Sequence, residues 1–483
     1  MSATLAITLA PWPVLCQEDV PVNAVETDNS TEQPIDPSSL SFSGTLDATY
    51  GLRRFSGRSD KDLQTFLSLR AEDIVADRLD AAISLYWHDD LDGLSSPPAG
   101  ETVTEEPRPG RRGEGRRRRD AYEVDPRASD PFLDLDQAAD NDFRLYTAYA
   151  NLNHAGIPGG SLRLGRQFID EIDFVHFDGA SVQLRPTPRV DAKVFGGRPV
   201  SFFSGTSGES LYGTRGEFRP TSRARAAATY YRYEGTRVTD KLLSVEGWYR
   251  WSPWTQSHLK YSWLNSDPYI VQTDHFFRAD SADLDLSLQT VSLLEPVGAS
   301  TLNFNPYFPL LNSFTPFDYG SILAIKGLGE RLSLRAGIDL RRAEGVDDPV
   351  TGFNNRDFRR GTLGVEVRPA ETLTLALDAE YWEVDADDRF SGLSGEVDYR
   401  PTSRWTLTAG AEYGEYVQVY RDELAFLFGE EKTFRITPDV ITYFASARWQ
   451  DGRVALSAAL EHEDNSEDSD DWLRFQMRLG LRF

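Results

Sequence analysis

The sequence predicts an all-β chain, a transmembrane antiparallel up-and-down β-barrel of about 22 strands (bounds of about 18 to 22) with no plug domain. Three observations predict it. Apolar and polar residues alternate with period two in segment after segment from Leu40 to Phe483, turn residues punctuate the chain at short intervals, and Tyr and Trp are abundant where long apolar runs are missing. Hydrophobic residues make up 40% and charged residues 26% of the chain, with 10 Trp, 20 Tyr and 27 Phe. That mixture is too polar for helical spans. It suits a wall in which every second residue meets lipid and aromatic girdles mark the two interfaces.

A length of 483 residues would by itself suggest about three globular domains, but no linker separates the segments into cored blocks. One sheet closed on itself fits better. The formal net charge of −25 excludes nucleic acid as the main partner, because that binding neutralises phosphates with Lys and Arg.

Residues 1–16 contain an apolar run from Leu5 to Leu15 and read as a signal peptide without the usual basic start, with cleavage expected after Cys16 or, alternatively, near Ala24. With one cysteine the chain forms no internal disulfide and no cysteine-based metal cluster. Residues 17–40, rich in Asp, Glu, Pro and Ser, are too few for a folded plug and are expected to be a disordered periplasmic segment. The barrel is expected over 41–483.

The last strand is the clearest. Leu473, Phe475, Met477, Leu479, Leu481 and Phe483 alternate with Arg474, Gln476, Arg478, Gly480 and Arg482 without an error. The same pattern sets Leu332, Leu334, Ala336, Ile338 and Leu340 against Arg335, Asp339 and Arg341, and Leu373, Leu375, Leu377, Ala379 and Tyr381 against Asp378 and Glu380. Trp405, Leu407, Ala409, Ala411 and Tyr413 likewise oppose Arg404 and Glu412. The polar sets are expected to line a water-accessible lumen, because charge on the lipid face costs about 2 to 4 kcal/mol at the bilayer midplane.

A short repeat marks the turns. Arg185-Pro186-Thr187-Pro188-Arg189, Arg219-Pro220-Thr221-Ser222-Arg223 and Arg400-Pro401-Thr402-Ser403-Arg404 are nearly one pentapeptide. Proline carries no N–H, so each is expected to end a strand and begin a tight turn. Short turns on one side identify that side as periplasmic, which places both termini there and the longer connections outside the cell. Strands are expected near 41–52, 61–71, 77–88, 141–153, 160–168, 174–185, 189–199, 209–219, 223–234, 240–251 and 256–266. The second half continues near 282–293, 300–308, 319–326, 331–342, 357–368, 371–382, 389–400, 404–416, 438–450, 453–463 and 471–483.

The final alternation resembles the C-terminal signal of outer-membrane proteins that the barrel-assembly machinery reads. Phe483 and Leu481 match its aromatic and apolar positions and Gln476 its polar one, whereas Arg478 stands where glycine is usual. Arg163-Leu164-Gly165-Arg166-Gln167, Phe177-Asp178-Gly179-Ala180 and Val194-Phe195-Gly196-Gly197-Arg198-Pro199 resemble consecutive strands of Gram-negative porins and of the barrel components of porin-cytochrome conduits. The resemblance implies an outer-membrane location and two functional expectations: a porin-like channel passing ions or small polar solutes, or a sheath holding a periplasmic or multihaem cytochrome for electron transfer.

The longest connection, 89–140, carries Arg111, Arg112, Arg116, Arg117, Arg118 and Arg119 and reads as an extracellular loop able to attract anionic lipopolysaccharide. Acidic runs at Asp385, Asp387 and Asp388 and from Glu463 to Asp471 lack the spacing of a calcium loop. No nucleophile elbow, P-loop, H-E-x-x-H pair or haem-attachment motif occurs, so no catalytic residue, no metal and no cofactor are expected.

Overall fold

The computed structural model describes residues 40–55, 58–75, 78–91, 143–154, 159–169, 175–200, 209–235, 239–295, 316–343, 357–384, 388–421, 433–466 and 472–483. The first strands are β1 (Ser41–Phe55), β2 (Arg58–Val75), β3 (Leu79–Asp90), β4 (Phe143–Asn153), β5 (Ser161–Ile169) and β6 (Val175–Thr187). They continue as β7 (Val190–Pro199), β8 (Ser210–Thr221), β9 (Ala224–Glu234), β10 (Thr239–Ser252), β11 (Thr255–Leu264) and β12 (Asp267–Ala279). Next come β13 (Leu284–Leu293), β14 (Phe317–Gly327), β15 (Leu332–Ala343), β16 (Phe358–Ala370), β17 (Leu373–Val384) and β18 (Asp388–Thr402). The last are β19 (Trp405–Arg421), β20 (Thr433–Ile436), β21 (Asp439–Asp451), β22 (Val454–Asn465) and β23 (Trp472–Arg482).

Each wall strand pairs antiparallel with its neighbours, and β1 pairs with both β2 and β23, so the sheet closes on itself. The short β20 pairs only with the upper part of β19, while β19 and β21 pair directly, which leaves 22 strands in the wall. Closure is completed by the last residue: Gly44 and Phe483 exchange backbone hydrogen bonds of 2.8 and 3.1 Å. The Phe483 ring also lies where a side chain at position 44 would begin, so glycine there makes room for it.

One strand of the wall, β12, was not expected. Asn265 and Ser266 join it to β11 in a two-residue turn with φ of 54° and 83°, the left-handed pair that a tight hairpin requires. Asn tolerates that backbone, but the turn contains no glycine, so the sequence does not announce it. The strand expected at 300–308 lies outside the described residues; β13 and β14 pair directly, and the wall has no place for a strand between them. The expected signal peptide, the arginine-rich connection and Asp385 and Asp387 also lie outside the described residues.

The proline expectation needs correction. β6, β8 and β18 run on through Arg-Pro to Thr187, Thr221 and Thr402, with register shifts between Leu184 and Thr187, Phe218 and Thr221, and Tyr399 and Thr402. A bulge leaves a residue out of the ladder, and that is where a missing N–H does no harm. The threonine explains the rest of the repeat: Oγ1 of Thr187, Thr221 and Thr402 accepts the backbone N–H of Arg189, Arg223 and Arg404 at 3.3, 3.2 and 3.3 Å.

The two faces of the wall differ. Side chains diverge on the convex side of a closed sheet and converge on the concave side, so exposure tells them apart. Ile338, Leu340, Leu363, Leu377, Leu393, Tyr413, Leu456 and Met477 are all exposed, and the registers place them on one face. This apolar face is convex. The fully buried wall residues Phe177, Phe195, Leu211, Tyr231 and Leu242 occupy the other, concave face.

Candidate functional site

From β15 to β23 and on to β3, the concave face is a single layer of charged and polar side chains tied by cross-strand pairs. Arg335 of β15 reaches over β16 to Asp378 of β17. Asp339 accepts the Tyr319 hydroxyl at 2.9 Å and lies 3.9 Å from Arg360, whose Nε meets Glu380 at 2.8 Å. Arg478 and Asp47 bridge the closing seam at 2.9 Å, and Arg53, Asp62 and His88 form a second set with contacts of 2.8 and 3.0 Å. Glu412 faces the carboxylates of Glu380 and Glu461, and Glu461 is the register partner of Arg474. The structure thus brings together Arg335, Asp339, Asp378 and Glu380. It sets Arg404 apart in the turn beyond β18, where it meets Asp451 at 3.1 Å. Gln476 lies on the face of Arg474 and Arg478, Leu481 on the apolar face opposite Leu46 and Val454.

The half from β5 to β14 is built differently at the end where the longer connections lie. Ile169, Val175, Phe177, Phe195, Leu211, Tyr231, Tyr233, Leu242, Leu264 and Leu293 form one buried apolar cluster, with Tyr269 and Phe317 packed against it. Gly213 has no side chain where the Phe195 ring comes up against the Tyr231 Cβ and the Tyr230 carbonyl.

Within that half, the upper part of the β5–β6 hairpin parts from β4, while β6 stays paired with β7 as far as Phe177 and Pro199. β4 runs from Phe143, yet it pairs with β5 only over Ala148 to Asn153, while β5 and β6 stay paired up to Ile169 and Val175. The departure begins at a row of three glycines in mutual register, Gly165, Gly179 and Gly197. A Cβ at any of them would collide with backbone of the neighbouring strand, and Gly165 has φ of +123°. The start of β6 is buried on both of its faces: Phe177 is 0% exposed and His176, its neighbour pointing the other way, 3%. A hairpin bent outward would expose a face, so this one bends into the barrel.

Polar side chains fasten it. Arg166 gives Nη1 to the Leu145 carbonyl at 2.9 Å, and His176 Nε2 lies 2.7 Å from the Tyr146 carbonyl, replacing the ladder bonds that β4 has lost. Arg166 also holds Asp178 through two bonds of 2.7 and 2.8 Å, and the His176 ring stacks on Phe168 at 3.8 Å. The buried Gln167 amide donates to the carbonyls of Arg163, Gly165 and Gly179 and accepts from Ser181 at 2.6 Å. None of these residues was expected to act together. The only sequence signal was the glycine in each of three successive strands.

Farther toward the short-turn end, Arg215 meets Glu246 at 3.2 Å and His258 meets Asp274 at 2.9 Å, with Trp248 stacked between the Arg225 guanidinium and the His258 ring. Among the described residues, no group of His, Cys, Asp or Glu could hold a metal ion.

No family model matches the sequence, and no curated protein matches it. Solved structures with a similar fold come from Pseudomonas aeruginosa. OpdQ is 10% identical, with 92% of this chain and 99% of that chain covered and a TM-score of 0.41. The outer membrane protein OpdK is 11% identical, covering 92% and 99% with a TM-score of 0.38, and OprD is 9% identical, covering 93% and 98% with a TM-score of 0.37.

Proposed function

We propose that the protein is a porin-like channel of a Gram-negative outer membrane that passes ions or small polar solutes through the barrel, with the short turns and both termini on the periplasmic side. The observation that carries this reading is a closed wall with an exposed apolar convex face and a concave face of paired charges. An apolar exterior matches lipid, and a charged interior needs water. Arg335, Asp339, Arg341, Asp378, Glu380, Glu412, Arg474 and Arg478 are then lumen-lining, Arg404 stands at the rim in the turn beyond β18, and the inward β5–β6 hairpin narrows the path. The sheath reading is not carried forward, because the same hairpin takes up space that an enclosed partner would need. Phe483, Leu481 and Gln476 serve assembly, and the arginine-rich connection attracts anionic lipid headgroups.

The test is single-channel recording of the purified full chain in planar bilayers. Steady ohmic conductance is expected, with a shift toward cation preference when Arg335 and Arg360 are both replaced by Gln, since Asp378, Asp339 and Glu380 then lose their counter-charges. A folded barrel that conducts nothing would overturn the channel reading.

A further inference from the structure

The threonine of the Arg-Pro-Thr-x-Arg repeat has a structural role, but its arginines do not, and arginine recurs at the short-turn rim beyond the repeat. The backbone N–H groups of Arg219, Arg250, Arg368 and Arg482 donate to the carbonyls of Arg189, Arg223, Arg331 and Arg453 at 2.7 to 2.8 Å. Four pairs of arginines therefore stand side by side at one level, and all eight residues are exposed. Like charges on neighbouring strands repel unless an anion answers them. Glu217 answers Arg219 at 2.6 Å, and Glu366 answers Arg368 at 2.7 Å. At the seam, Asp451 is taken by Arg404 at 3.1 Å, and among the described residues neither Arg453 nor Arg482 has an ion-pair partner. Arg482 follows Leu481 of the apolar face in the alternation, so it stands on the lumen side of the rim.

An anion that suits this pair is encoded in the same chain and enters at the same place. Arg482 is the register partner of Thr45, four residues after β1 begins at Ser41. The sequence from Glu18 to Leu40 contains Glu18, Asp19, Glu26, Asp28, Glu32 and Asp36 and no Lys or Arg. Asp36 precedes Ser41 by five residues and Glu32 by nine, which an extended chain turns into reaches of about 17 and 30 Å. We propose that this acidic segment docks on the Arg453 and Arg482 pair through Glu32 and Asp36. Exposed ion pairs are individually weak, so a free acidic peptide would not stay. Attachment to β1 changes the balance, because a short tether holds the carboxylates at a local concentration on the order of millimolar and two contacts form together. Arg223 and Arg250 make an equivalent pair on the opposite side of the rim, beyond the reach of Asp36.

The test is the mobility of a nitroxide attached at Ser30→Cys, in a Cys16→Ser background, read by electron paramagnetic resonance on the purified full chain in detergent. At about 0.01 M salt the immobilised component should dominate. Raising salt to about 1 M should release the label, because the screening length falls from about 30 to about 3 Å. Arg453→Gln with Arg482→Gln should move the docking equilibrium about tenfold toward the mobile component at low salt, whereas Arg223→Gln with Arg250→Gln should leave it unmoved. A charge swap separates docking from any loosening of the seam. Arg453→Glu with Arg482→Glu should free the label, and adding Glu32→Lys with Asp36→Lys should immobilise it again. A mobile label in the wild type at low salt, equal effects of the two arginine pairs, or no recovery in the swap would each overturn the proposal. A mobile wild-type label together with retention of added polyglutamate that depends on Arg453 and Arg482 would overturn it in favour of a separate acidic partner.

Discussion

The two halves of the concave face start from the same period-two alternation and end as different materials. From β15 round to β3 the inward positions are charged, partly exposed and held by cross-strand ion pairs, so the wall is one layer thick. From β5 to β14, at the end with the longer connections, inward positions are large, apolar and buried, and a hairpin turns in over them. The difference teaches that alternation specifies only that the faces differ. What the inner face does is set by side-chain size and by where glycine lets backbones approach.

Four substitutions sharpen this contrast. The largest effect is expected from Gly179→Val, whose Cβ meets backbone of β7: destabilisation of about 4 kcal/mol or more and loss of heat-modifiable barrel on gels. Gly247→Val has open space and should assemble normally; equal behaviour of the two would deny the hairpin its tight row. Phe177→Ala comes next, with a cavity costing about 3 to 5 kcal/mol, read as a lower midpoint in detergent unfolding. Arg166→Met removes a charge-assisted bond to Leu145 and leaves Asp178 without its fork, for about 2 kcal/mol locally. Its clearer signature should be a larger and noisier single-channel current; unchanged current would argue that the hairpin does not define the narrowest point. Arg335→Gln, at an exposed pair, should cost less than about 1 kcal/mol in stability, because solvent and salt already screen it.

Much of the barrel could be read before the structure. Trp405 to Tyr413, Leu332 to Arg341 and the terminal strand kept their alternation, with the apolar residues on the exposed convex face and the polar ones on the concave face. The strand number came out right through two departures that offset each other. β12 was hidden by a hairpin turn of Asn and Ser, and a segment at 300–308 was counted in its place. At the candidate site, Asp339, Asp378 and Glu380 were legible as one polar face, but their partner Arg360 was not, since β16 carries glycines at positions 361 and 364 that blur its pattern. The inward hairpin was illegible for a different reason. Its strands keep alternating after β5 parts from β4, and periodicity carries no information about which neighbour a strand has lost.

The seam has a consequence for how the molecule can be made. Thr45 pairs with Arg482 and Asp47 bonds to Arg478, partners 431 residues apart in sequence for the latter. Until β23 has been synthesised the sheet keeps two open edges, so closure must follow synthesis of nearly the entire wall. A truncation upstream of β23 should therefore abolish the closed barrel rather than merely weaken it.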